Sequence, residues 1–202
     1  MPRPAHGTED PLDSPYTPYI KDKEVSMPIK VPWLKGVFPA LVTPFDRETE
    51  AVDEEAYRRL IANVLPDVDG IVTSGTTGEF PYLTRDEQQR LVEIGVEEAD
   101  GKPVVAGCGA SSTQEALTLV RDAKEAGASA ALVVTPYFLH PSDKGITQHF
   151  YDIATDTDLP IILYNIPQVV DAYLPRTVVE DLADLPNVIG IKDSSGNLTY
   201  TM

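Results

Sequence analysis

Three kinds of side chain in this sequence have the chemistry to act together on a carbonyl compound. Lys192 closes the apolar run Asn187-Val188-Ile189-Gly190-Ile191 and opens Asp193-Ser194-Ser195-Gly196-Asn197. A lysine at the end of a buried strand is short of solvent. Desolvation favours the neutral amine, the nucleophilic form that condenses with a ketone to a Schiff base. Gly75-Thr76-Thr77-Gly78 sets two hydroxyls between two glycines, a composition that lets successive backbone amides face an anion while the threonines add donors. No lysine or arginine stands in that loop, so a carboxylate suits it better than a phosphate; a tight strand-to-helix turn is the other use of the same residues. Tyr164 ends a further apolar run and offers a phenol able to pass a proton to a hydroxyl within reach. A core aromatic with a wet tip is its plainer reading. Lysine, hydroxyls and a carboxylate nest describe an amine catalyst acting on a 2-keto acid.

Other chemistries find less support. His6, His140 and His149 are scattered without ligand spacing, so the sequence predicts no metal site. No Ser-His-Asp arrangement stands out. The single cysteine, Cys108, cannot form an intrachain disulfide or a thiolate cluster and reads as a small buried thiol. A net charge of -16, from 32 acidic against 16 basic side chains, repels phosphate backbones and anionic lipids, which argues against nucleic acid and membrane partners. The acid is spread over predicted helices, as in Asp53-Glu54-Glu55 and Glu97-Glu98, and reads as a solvated surface. Neither a basic-then-apolar leader nor an apolar run of about 18 residues is found, so a cytoplasmic protein is expected.

The elements that must position these residues are legible from periodicity. Short apolar runs at 37–42, 70–73, 103–107, 130–134, 160–164 and 187–191 recur roughly every 30 residues, the spacing of a βα repeat. Each precedes an amphipathic stretch, and together they read as parallel strands buried on both faces. Thr84-Arg85-Asp86-Glu87 and Ser112-Thr113-Gln114-Glu115 fit the capping box, and Pro175 suits the first turn of a helix. Tyr57, Leu60, Ile61 and Val64 share one helical face. Six such units fit either an open doubly wound sheet or a (β/α)8 TIM barrel. The barrel is preferred because no G-x-G-x-x-G follows Val42. The sequence ends at Met202, so two units of a complete barrel would have to come from elsewhere. Residues 1–35, rich in proline and without apolar periodicity, are expected to be a flexible extension, with Met27 as an alternative start; 36–202 are the partial barrel.

In such a barrel the site is built at the carboxyl ends of the strands, where the loop at Gly75, Tyr164 and Lys192 all fall. At these residues the sequence resembles the dihydrodipicolinate synthase / N-acetylneuraminate lyase family of class I, pyruvate-dependent aldolases. The motifs are Ala40-Leu41-Val42-Thr43-Pro44-Phe45, Gly75-Thr76-Thr77-Gly78-Glu79, Val134-Thr135-Pro136-Tyr137, Leu163-Tyr164-Asn165-Ile166-Pro167 and Gly190-Ile191-Lys192-Asp193. The resemblance implies a (β/α)8 barrel in a homodimer or homotetramer, no cofactor, and pyruvate and an aldehyde as small-molecule partners. It implies Lys192 as the Schiff-base lysine, Tyr164 as proton shuttle, Thr76 in the relay, and Thr77 with the Gly75 and Gly78 amides on the pyruvate carboxylate.

Two positions depart from the synthase pattern. Phe138 stands where a second relay tyrosine crosses from a neighbouring subunit, which would leave that part to Tyr137 or water. Val169 stands in place of an arginine that clamps the carboxylate of the aldehyde. These departures favour a 2-keto-3-deoxy sugar acid or a 4-hydroxy-2-oxo acid as substrate, with 4-hydroxy-tetrahydrodipicolinate synthesis as the alternative. An inactive fragment or a 2-keto-acid-binding protein is the remaining reading.

Overall fold

The computed structural model describes residues 27–202. Five parallel strands form one sheet in the order of the chain: β1 (Ile71–Thr73), β2 (Val104–Gly107), β3 (Ala130–Val134), β4 (Ile161–Asn165) and β5 (Val188–Asp193). Before and between them run α1 (Glu54–Val64), α2 (Arg85–Glu98), α3 (Thr113–Glu125), α4 (Asp143–Asp156), the short α5 (Pro167–Val170) and α6 (Arg176–Leu182); α7 (Leu198–Thr201) follows β5. A sheet that keeps sequence order with every crossover helical is part of a (β/α)8 barrel.

β1 to β4 are buried on both faces because alternate residues feed two cores. Ala131, Val133, Ile161 and Leu163 pack toward the helices with Phe150 and Leu182. Leu132, Val134, Ile162 and Tyr164 point to the opposite, interior face with Phe80. A third cluster holds Tyr57 and Ile61 of α1 against Leu91 and Ile94 of α2, with Leu60 and Val64 packed beside them. The Thr84 box forms in both directions, and the Ser112 hydroxyl accepts the Glu115 amide. Pro175 sits one residue before its helix, at the N-cap of α6.

Two expectations need correction. The run 37–42 is no full strand: Ala40 makes a single parallel bridge to Val72, with Leu41 N donating to Val72 O and Val72 N to Pro39 O. Pro39 has no N–H to give, which breaks the ladder at its centre. The second concerns Trp33 and Leu34, expected within the flexible extension. Trp33 and Leu34 pack against the interior core, and Ile29 N donates to Pro186 O at 2.9 Å. Residues 1–26, with His6, lie outside the described residues.

Part of the acidic surface links neighbouring helices. Arg58 bonds Glu97 and Glu98, Arg90 bonds Glu54, Arg85 grips both carboxylate oxygens of Asp122 at 2.6 and 2.7 Å, and Arg121 does the same to Asp156. These pairs run from α1 through α2 and α3 to α4. Solvent screens the exposed members of this series, whereas Asp122 is buried and takes both of its bonds from Arg85.

His149 lies at the α3–α4 contact, 3 % exposed, with Nδ1 at 2.9 Å from Thr113 Oγ1 and its ring edge-on to Phe150. Burial pushes its pKa down to about 4 from 6.5. The folded state therefore holds the neutral ring while the unfolded chain takes up a proton. The associated stability is complete above pH 6.5 and is lost as pH falls toward 4, by about 3 kcal/mol. Urea unfolding between these pH values should show that slope, and His149→Gln should flatten it; an unchanged slope in the variant would assign it to other groups.

Candidate active site

The carboxyl ends of β4 and β5 bring the lysine and the phenol together. The register pairs Tyr164 with Lys192 and Asn165 with Asp193. It depends on an irregularity: Ile161 pairs with Val188, but Ile162 pairs with Gly190, so Ile189 is an extra residue in β5. Without that shift Ile191 would lie opposite Tyr164, and a one-residue slip exchanges the faces of a strand. With it, Lys192 Nζ lies over the Tyr164 ring, 4.0 Å from the centroid.

Tyr164 is 5 % exposed. Burial pushes its pKa up, but hydrogen bonding with Ser194, Lys192 and Thr76 and the charge of Lys192 outweigh burial and hold it below the usual phenol value. Ser194 Oγ stands 3.5 Å from the phenol oxygen. Such a phenol gives up its proton more readily and can take it back from a nearby donor, which is what a proton shuttle needs.

The loop after β1 is a single 3₁₀ turn, Thr76–Gly78, followed by a second at Phe80–Tyr82. It is held tightly. Gly78 N donates to Gly75 O at 3.0 Å, Glu79 N to Thr76 O at 3.1 Å, and Thr43 Oγ1 to Gly78 O at 2.7 Å. Close approach is required at Gly107, where a Cβ would fall 2.1 Å from Ser74 O. The expected nest is therefore smaller than four amides. The Gly78 amide is spent inside the turn, and the first-turn amides of Thr76 and Thr77 are the ones a 3₁₀ helix leaves for an outside acceptor. Thr76 is half-buried and borders Tyr164 in a small gap with Phe80 and Val134, whereas Thr77 is exposed.

Beside this gap opens a cavity of about 290 Å³ whose walls include Thr76, Phe80, Tyr137, Phe138 and Val169. Tyr137 reaches the same cavity as Thr76, but its ring packs edge-on to Phe80 at 6.1 Å. Phe138 is 88 % exposed and Val169, on α5, 60 %. The cavity is mainly apolar.

β5 is the least buried strand: Gly190 and Ile191 are exposed, and Lys192 is half-buried. β5 pairs on one side only, with β4, among the described residues. Lys102, in contrast, is committed to the carbonyls of Leu65 and Val68 at 2.6 and 2.8 Å. Two participants were not singled out from sequence: Ser194, whose only signal is its place two residues after Lys192, and the Asn165–Asp193 pair.

The sequence model of the dihydrodipicolinate synthetase family matches residues 33–202. Curated relatives named 4-hydroxy-tetrahydrodipicolinate synthase include those of Methanothrix thermoacetophila, 42% identical over 166 residues, and Phenylobacterium zucineum, 46% over 169. The match covers 82% and 83% of this chain but 56% and 57% of those proteins. The chain thus spans about half the length of the curated relatives it matches. Among solved structures, the 4-hydroxy-tetrahydrodipicolinate synthase of Methylacidiphilum fumariolicum SolV superposes with a TM-score of 0.79 at 35% identity, over 83% of this chain and 56% of that one. A dihydrodipicolinate synthase of Acinetobacter baumannii complexed with pyruvate gives 0.79 at 37%, over 81% and 57%.

Proposed function

The chain belongs to the dihydrodipicolinate synthetase family, and on that premise we propose that it carries the Schiff-base half of a pyruvate-dependent carbon–carbon lyase or synthase. The observation that carries this reading is Lys192 Nζ over the Tyr164 ring, with Ser194 and Thr76 donors around the phenol. Once its ammonium has passed a proton to the relay, the Lys192 amine adds to the ketone carbon of pyruvate. The Nζ–carbon bond forms, the ketone oxygen leaves as water, and Tyr164 relays the protons. The resulting iminium accepts the electron pair released when the adjacent C–H or C–C bond breaks. Thr76, Thr77 and their amides are the proposed seat of the pyruvate carboxylate, with Gly75 and Gly78 shaping the turn that presents them. The work is proposed for the cytoplasm, where a free buried thiol such as Cys108 is at home. Among the described residues no helix is long and apolar enough to cross a membrane.

For the second substrate, the name shared by the curated relatives supports 4-hydroxy-tetrahydrodipicolinate synthesis, and the family resemblance implies aspartate semialdehyde as the aldehyde. Val169 supports the second reading, a 2-keto-3-deoxy or 4-hydroxy-2-oxo acid. An apolar side chain there offers no charge-assisted pair to an aldehyde carboxylate, an interaction worth about 1.5–3 kcal/mol. Assays of the intact protein should show pyruvate consumed with aspartate semialdehyde under the first reading. Under the second, pyruvate is released from the keto-deoxy acids and aspartate semialdehyde is inert. Inertness toward all of them, in a folded protein, would contradict both.

A further inference from the structure

We propose that Asn165 and Asp193 form a clasp that positions Lys192 over Tyr164. This rests on the reading of Lys192 as the nucleophile. The two residues are the register pair directly after Tyr164 and Lys192. In a strand, consecutive side chains leave by opposite faces, so the clasp works from behind the site. Its links confirm that placement. Asn165 bonds the amide of Leu174, a member of the helix-side core, whereas Tyr164 belongs to the interior core.

The Asn165 side chain is completely buried and uses both ends. Nδ2 donates to Asp193 Oδ1 at 2.8 Å, and Oδ1 accepts from Leu174 N at 2.9 Å. Asp193 gathers four donors in all: Asn165 Nδ2, Ser195 N at 3.0 Å, Ser195 Oγ at 3.0 Å and Thr201 Oγ1 at 2.7 Å. The Asn165 carbonyl accepts Ser194 N at 2.8 Å, which places the hydroxyl that meets the Tyr164 phenol.

The register of β5 against β4 already carries an extra residue at Ile189. Side-chain bonds at the end of β5 oppose the slip that would swing Lys192 to the other face. Asn165 and Asp193 are therefore positioning residues, acting through their neighbours Tyr164 and Lys192.

The test is steady-state kinetics of the intact protein together with the rate of borohydride trapping of pyruvate. Asp193→Ala should lower kcat and the trapping rate by roughly 10–100-fold, the scale of an ångström-level misplacement. The KM for pyruvate should stay within about threefold, because the carboxylate seat on the Thr76 loop is untouched. Asp193→Asn should recover most of the loss, since the Ser195 and Thr201 hydroxyls can turn to accept from the new amide. Parent-like trapping by Asp193→Ala, or an asparagine variant as impaired as alanine, would overturn the clasp. If Asp193→Ala does not fold, Thr201→Val removes one donor and keeps the carboxylate; a partial fall supports the clasp, and no fall overturns it. Lys192→Ala separates the two ideas: trapping that survives in it defeats the nucleophile reading, whereas trapping lost there and intact in Asp193→Ala defeats only the clasp.

Discussion

Replacing Lys192 with alanine is expected to abolish covalent capture of pyruvate and to lower turnover by at least ~10⁴-fold, because no other group takes over a missing nucleophile. The geometry makes the loss specific. Lys102, the other partly buried lysine among the described residues, has its ammonium bonded to the backbone carbonyls of Leu65 and Val68, just after α1. Lys192→Arg is expected to be as inactive as alanine, since guanidinium keeps the charge over the Tyr164 ring but cannot lose its proton to attack a ketone. Turnover by either variant within tenfold of the parent would show that the amine is not the nucleophile. Stability should hardly change, because a lysine side chain that belongs to no apolar cluster contributes little packing.

Tyr164→Phe should lower kcat by about 10²–10⁴-fold, the usual worth of a placed acid–base group. The phenylalanine ring still fills the interior core and still lies under Lys192 Nζ, so the nucleophile keeps its place. Pyruvate should therefore be trapped by borohydride, only more slowly, because water must carry the protons that leave with the ketone oxygen. The phenol's pKa lies below its usual range through its donors and the Lys192 charge, which outweigh burial. Removing Ser194 Oγ by Ser194→Ala should consequently shift the basic limb of the kcat–pH profile upward. A Tyr164→Phe enzyme with parent kcat would assign the proton relay to other hydroxyls.

Most of the scaffold was legible because burial on both faces writes continuous apolar runs. Residues 130–134 became β3 without change, and Thr84 and Ser112 cap the helices their sequences announce. The run 37–42 misled because its apolar content is real but Pro39 removes a ladder donor in its middle. Trp33 and Leu34 dock although they lie within a proline-rich segment, since two large apolar side chains can pack on a core without any periodicity of their own.

At the site, Lys192, Tyr164 and Thr76 could be found from their places at strand ends. Three things could not. The extra residue at Ile189 that sets the register leaves no compositional trace. The spending of the Gly78 amide within its own turn follows from a 3₁₀ geometry that Gly-Thr-Thr-Gly does not distinguish from an open nest. The Asn165–Asp193 bond joins residues 28 apart, and only the folded sheet makes them neighbours.

The most direct measurement is reduction of the intact protein by borohydride with pyruvate present, followed by peptide mapping. One reduced pyruvate unit per chain is expected, carried by the peptide that contains Lys192 and absent without pyruvate. A folded protein that consumes pyruvate yet carries the adduct on another lysine, or none at all, would contradict Lys192 as the nucleophile.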